Sequence, residues 1–463
     1  MSQNPPIAAE SSQPDSVNRR PCRGAGPATG QLMGLCRFRR SLLLPMLIAC
    51  CLLPASIDCQ RAMEHLVSAG ATIADANETR SALTLNAQGL TLSNDDGSTQ
   101  LRVHGYLQAD GRFFAANLQG EQHNTLLFRR VRPLVEGTLA NRFEFRFMPD
   151  FGEGNTVIQE AYAETAIGPF ARLRIGKFKT PIGLEVLRSD RDLTFAERSL
   201  ASDLVPIRDL GALIEASFLQ RAATLEFGYF SSALDGANAN FEWRGDGEGV
   251  ARAFLQPFLG SSSPIQNLGA GFSYSQGHRQ NSLASLKTIG QATFFQFAPA
   301  AYADGPRRHL SPQGFYFFKS FGSMGEYIVS DQTVAVDSMR RLLSNRSWQV
   351  SASLVLTGER NSYEGIQPAH PFEPGAGLRH LGAWEIAFRH GAVRVDPKAF
   401  PNFASPLASA ERASESAVGL NWYMNRYTKI VADYEYTAFR MHGGSIPTPS
   451  PERVAMTRIQ FAL

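Results

Sequence analysis

At 463 residues, with 43% hydrophobic, 10% aromatic and 19% charged positions and a net charge of +3, the chain is neither a disordered polyelectrolyte nor a basic nucleic-acid binder. That +3 lies entirely in residues 1–59, which hold six Arg and three acidic residues, so the remainder is neutral in balance. No stretch after residue 60 reaches the roughly 18 consecutive apolar residues of a spanning helix; a membrane could be crossed only by a closed barrel.

The N-terminal run "RFRRSLLLPMLIACCLLPAS" has the order of a secretory signal: basic Arg37, Arg39 and Arg40, an apolar stretch from Leu42 to Leu53, then small Ala55 and Ser56. Residues 1–59 are therefore expected to be an extension plus a signal removed on export, with Met33 as initiator. "LIAC" (Leu47 to Cys50) also fits a lipoprotein cleavage pattern. All five cysteines lie within the first 59 residues, so the exported part has no disulfide, and a barrel closed by its own ladder needs none.

Residues 60–85 read as a short periplasmic lead-in, polar and with some helical character, and residues 86–463 as a β-barrel domain. From "LTLNAQGLTLSNDDGSTQLRVHGYLQADGRFF" onward, apolar and polar residues alternate between turns such as Asn94–Gly97 and Ala140–Arg142. In "RFEFRFMPDF", Phe143, Phe145, Phe147 and Phe151 share one face while Arg142, Glu144, Arg146 and Asp150 share the other. The preceding strand sets Val131, Val135 and Leu139 against Arg130, Arg132, Glu136 and Thr138, with Pro133 and Leu134 interrupting the pattern. The next hairpin turns at Gly168-Pro169 and returns Ala171, Leu173 and Ile175 opposite Arg172 and Arg174.

Arg130, Arg132, Arg146, Arg172 and Arg174 thus collect on one side of a sheet. In a dry core each would need a partner, since an unpaired buried charge costs several kcal/mol. A membrane barrel turns the Phe face to lipid and leaves the arginines in a wet lumen. The expected fold is all-β: a transmembrane antiparallel barrel of 16 strands with a long loop folded into the lumen. That loop falls in 176–218, irregular yet carrying the apolar anchors Ile182, Leu184, Leu187, Leu193, Phe195 and Leu200; the alternative is a packed extracellular lid. The chain closes on "VAMTRIQFAL", with Ala455, Thr457, Ile459, Phe461 and Leu463 on one face.

Six blocks in order give the chain a family likeness: "FRRVRPLVEGTLANRFEFRFMPDF", "GKFKTPIGLE" with "RDLTFAERSL" and "RDLG", "SPQGFYFFKSFGSMGEYIVSDQ", "WQVSASLVLTGE", "GAWEIAFRHGAVRVD" and "GLNWYMNRYTKIVADYEYT". Together they resemble the phosphate-selective porins O and P of Gram-negative outer membranes. The resemblance implies a sixteen-stranded barrel assembled as a homotrimer in outer-membrane lipid, with an inward loop and a phosphate-binding constriction of Arg and Lys. It matches Arg129 and Arg130 to the family's paired arginines, Lys177 and Lys179 to its basic positions before "TP-G-LE", and Arg191 and Arg198 to its constriction loop. Members commonly end in Phe, where this chain ends in Leu463 with Phe461 two before. Lysine is scarce, present only at 177, 179, 287, 319, 398 and 429.

Candidate pore-lining residues are Arg129, Arg130, Arg132, Arg146, Arg172, Arg174, Lys177, Lys179, Arg191 and Arg198. Arginine stays charged at any working pH and its planar fork fits phosphate, and rings of basic side chains select anions in pores. Phosphate and other small anions are the expected partners, with no nucleic acid and no cofactor. The nine histidines show no metal spacing, no G-x-S-x-G elbow occurs, and "ARLRIGKF" lacks the first Gly and the Ser/Thr of a phosphate loop. A channel rather than an enzyme is expected. A general or differently selective porin and a plugged structural barrel remain as the other readings.

Overall fold

The computed structural model describes residues 82–463 apart from 87–88, 117–121, 232–245, 281, 378–379 and 445. The signal and most of the lead-in lie outside the described residues. In chain order, a hairpin of β1 (Ala82–Asn86) and β2 (Gly89–Ser93) precedes β3 (Gln100–Ala116), β4 (Thr125–Leu139), β5 (Phe143–Asp150), β6 (Val157–Ala166), β7 (Ala171–Lys179), β8 (Arg208–Phe218), β9 (Ala223–Phe230), β10 (Gly247–Leu255) and β11 (Asn267–Arg279). A loop carrying β12 (Leu286–Lys287) and β13 (Thr293–Phe295) leads to β14 (Tyr302–Phe318), β15 (Phe321–Val336), β16 (Met339–Val355), β17 (Ala383–Arg394), β18 (Ala410–Tyr423), β19 (Thr428–Met441) and β20 (Glu452–Ala462).

Every neighbouring pair in the large sheet is antiparallel, and β20 pairs back onto β3 from Arg453↔Ala116 to Ala462↔Tyr106, which closes a 16-strand barrel. Closure satisfies every ladder donor without an open edge, the condition for a sheet to cross lipid. The β1–β2 hairpin continues the sheet below the end of β20, pairing β2 with the first residues of β3.

The two faces divide as the alternation predicts. Leu126, Phe128, Phe143 and Phe147 are exposed on the outside, while Arg130, Arg132 and Glu160 are buried inside. Arg142 belongs to the β4–β5 turn rather than the strand face: Ala140 and Asn141 adopt left-handed φ of 52° and 51°, the conformation that reverses a hairpin in two residues. The register has one irregularity with functional weight. Gln108 pairs with Arg130 but Ala109 pairs with Phe128, so Arg129 is an inserted bulge residue. Below the bulge, even-numbered positions of β4 face the lumen; above it, Phe128 and Leu126 face outward.

Between β7 and β8 the chain leaves the wall. Thr180 closes the neck, its N–H donating to Ile207 O (3.3 Å) and its hydroxyl to Pro206 O (2.6 Å). Gly183, at φ 80°, starts the helical turn Leu184–Leu187; a side chain there would be strained in that conformation. A second turn, of 3-10 type, spans Leu200–Leu204. Ile182, Leu184, Leu193, Phe195, Ala196 and Leu200 are each at most 4% exposed, so the loop is packed into the lumen rather than lying over it as a lid.

Two further segments enter the barrel without a signal that alternation could reveal. The β12–β13 loop packs Leu286, Ile289, Phe294 and Phe295 against Phe400, Phe403, Phe439 and Val454 at the end of the barrel bearing the long loops. At the opposite end, residues 356–382 between β16 and β17 reach under the constriction loop: the Tyr363 hydroxyl donates to Leu184 O (2.6 Å), Arg188 Nε donates to Tyr363 O (2.9 Å), and the Tyr363 ring stacks on Phe315.

Candidate functional site: an arginine-lined neck

Where the inward loop faces β3–β8 it brings two carboxylates against the wall. Asp190 receives Arg132, Arg198, Arg208 (3.3 Å) and Arg130 (3.8 Å). Glu197 receives Arg129 together with Arg112, Arg130 and Arg458, the last three at 3.6 Å. Burial would favour the neutral acid at both positions, yet the surrounding guanidinium groups prevail and hold both carboxyls below the usual carboxylate range, Asp190 well below.

The wall orients these arginines in turn. Asp150 takes the Val131 N–H (3.1 Å) and Arg132 Nε (2.6 Å), so Arg132 spans from the wall to the loop. Gln108 accepts from Arg130 (2.8 Å) and donates to Asp190 O (3.1 Å). Arg458 forms a forked pair with Asp110 at 2.7 and 2.6 Å. Because Arg129 occupies the bulge, it and Arg130 both reach Glu197, although strict alternation would send them to opposite faces.

The ten sequence-derived residues fall at four levels. Arg129, Arg130, Arg132, Lys177 and Arg198 line one cavity of about 250 Å³ on the long-loop side of the neck, together with Arg208 and with Lys287 from the β12–β13 loop. Arg146, Arg174 and Lys179 line a cavity of about 370 Å³ between wall and loop, where Lys179 Nζ donates to Arg188 O (2.6 Å) and Leu187 O (3.3 Å). Arg172 lies at the turn-end mouth, bonded to Glu164 (2.8 Å) and Glu144 (3.3 Å). Arg191 projects from the loop into a vestibule of about 450 Å³ at the same end, with Arg102, Arg146, Arg426 and Lys429.

Sequence reasoning passed over Arg112, Arg208 and Arg458, and the carboxylates Asp190 and Glu197 that gather them. Alternation in "TRIQF" could have found Arg458, which lies opposite Ile459 and Phe461. The loop carboxylates had no such signal, since an irregular segment has no period. Around the upper neck the eight cations Arg112, Arg129, Arg130, Arg132, Arg198, Arg208, Arg458 and Lys177 meet the six carboxylates Asp110, Asp150, Glu153, Glu160, Asp190 and Glu197, so the pairing leaves a positive excess of two. Among the described residues no cluster of His, Cys, Asp and Glu could hold a metal.

A closed antiparallel barrel with an apolar outside, a charged bore and an inward constriction loop is an outer-membrane porin. Residues 101–293 match the family model of phosphate-selective porin O and P. Porin O of Pseudomonas aeruginosa is 22% identical over 386 residues, covering 75% of this chain and 84% of that one. Among solved structures, the outer-membrane channel DcaP of Acinetobacter baumannii superposes with a TM-score of 0.52 at 9% identity, over 79% of this chain and 98% of that one. OprB of Pseudomonas putida gives 0.51 at 10%, over 80% and 95%. These two likenesses bear on the fold.

Proposed function

We propose that the protein is an anion-selective diffusion channel whose cargo is phosphate, and that the positive excess around Asp190 and Glu197 is its selectivity element. Guanidinium groups held within reach of a wet neck can trade a loop carboxylate for a passing phosphate of the same geometry. Transit also requires release, and the resident carboxylates favour it by competing for the same forks. The name of the family supports the phosphate reading. Lys177 and Lys179 supply the lysine component, and three copies are proposed to assemble, as the family resemblance implies.

Planar-bilayer recordings test this. Anion selectivity with chloride current blocked by low concentrations of phosphate is the expected result. Weak ion preference without block replaces it with a general porin. A plugged barrel has one observation in its favour, the apolar packing of the β12–β13 loop across the long-loop end; absence of conductance would establish it.

A further inference from the structure

On the outside of the barrel, four adjacent strands present arginine at one height. The antiparallel register sets Arg346 of β16 beside Arg394 of β17, Arg394 beside Arg412 of β18, and Arg412 beside Arg440 of β19. All four are exposed and share the face of the lipid-directed residues Phe388, Val418 and Tyr434. Like charges directly opposite on neighbouring strands repel, and strands lie only about 4.8 Å apart. The protein answers this row with Glu411, 3.4 Å from both Arg394 and Arg440 and 3.0 Å from His442. Arg412 bonds the Ser414 hydroxyl (3.1 Å), and among the described residues no carboxylate pairs with Arg412 or Arg346.

The height of the row identifies what it meets. Trp384 and Trp422 stack on the same outer face near the turn end, as aromatic side chains do at a membrane interface. Ten residues of β17 separate Trp384 from Arg394, about 34 Å of strand at about 3.4 Å per residue. At a tilt of about 40° that rises about 26 Å, matching the roughly 25 Å apolar band of such barrels. The arginines therefore sit one hydrocarbon thickness above the tryptophans, at the end bearing the long loops, which in outer-membrane barrels is the extracellular one.

We propose that this row is a docking surface for the phosphate groups of the anionic glycolipid of the outer leaflet. A planar guanidinium takes phosphate bidentately, and a line of them spaced by the strand repeat can engage a headgroup bearing two phosphates. The excess positive charge that the fold leaves outside the bore then has a counter-ion in the membrane itself.

The test is titration of bisphosphorylated lipid A into the detergent-solubilised protein, with bound lipid counted by native mass spectrometry. An Arg346→Ala/Arg412→Ala double variant removes two charges without orphaning an acid and is expected to bind roughly thirtyfold more weakly, from about 1 kcal/mol per arginine near an anionic surface. Glu411→Gln removes the competing carboxylate and is expected to bind more tightly. Lipid A stripped of its phosphates should not distinguish the three proteins. Equal affinity of wild type and double variant overturns the proposal. So does displacement of lipid A by millimolar inorganic phosphate, which would mark a free-anion site, or loss of oligomer with unchanged lipid binding, which would mark an interface between copies.

Discussion

The two halves of the lumen wall carry opposite charge for opposite reasons. From β3 to β8 the inward positions are rich in arginine, and these meet carboxylate side chains of the loop. From β15 to β19 they are rich in carboxylates, and these meet the loop's backbone: Glu326 accepts the N–H groups of Leu184 (2.6 Å) and Glu185 (3.2 Å), Asp433 that of Ala196 (2.6 Å), and Glu415 that of Leu200 (3.2 Å). An irregular segment taken out of water has peptide donors that no ladder satisfies; strand carboxylates supply the acceptors. The acidic side of the wall thus holds the loop by its backbone, and the basic side holds it by its carboxylates.

Arg389 and Lys429 are the buried cations on the acidic side, and Arg389 is the point at which the comparison breaks most visibly. Fully buried, it donates to Glu197 O (2.8 Å) and Glu435 (3.0 Å), lies 3.6 Å from Glu185 and Glu415, and covers the Phe195 ring. Arg389→Ala leaves those acids without their cation, a loss of about 3–5 kcal/mol for a broken buried pair. A lower unfolding temperature together with a larger, noisier single-channel conductance is expected; unchanged values in both would mean that the acidic wall does not hold the loop.

On the basic side, Asp190→Asn/Glu197→Gln frees the arginines from their resident competitors. Chloride-over-potassium permeability should rise about fivefold or more, given about 1 kcal/mol per charge at short range in water, and reversal potentials in a salt gradient would show it. Arg130→Ala and Lys179→Ala should each shift the same potential the other way, by a smaller factor. Tyr363→Phe removes a single hydrogen bond under the loop and should cost about 1 kcal/mol, seen as more frequent current flicker at unchanged selectivity.

The smallest expected effect is that of pH. Because the folded Asp190 and Glu197 carboxyls titrate below their ordinary values of 3.8 and 4.5, their ion pairs contribute fully above those values and are lost only as pH falls through the lower folded ones. Those two sets of pairs should therefore be unchanged from about pH 5 to 8, where the group at the neck that does titrate is Asp203, which lines the same cavity and whose carboxyl burial pushes up to about 7. A conductance step inside that window would point to groups other than those pairs.

Much of this division could be read from the chain alone. The Phe and Arg faces of 143–147 and 171–175, the arginine side of the wall and the inward loop with its apolar anchors all follow from period-2 alternation and from the greasy residues of an otherwise polar loop. The pairing of Arg129 with Arg130 on one side entered only through a resemblance, because a bulge breaks the very period on which alternation depends. Residues 356–382 and the β12–β13 loop also escaped, since their apolar residues have no fixed spacing. The acidic wall was legible as residues, in "ASESAVGLNWY" and "DYEYT", but its role needs the loop backbone beside it.

The single residue inserted at Arg129 has a consequence for how such a channel changes over time. One extra peptide unit places two cations at the same depth of the passage while the strands below keep their pairing and the outer coat stays greasy. Ionic taste can therefore be retuned by slipping one residue in or out of a rung, with the number of staves and the girth of the cylinder left alone.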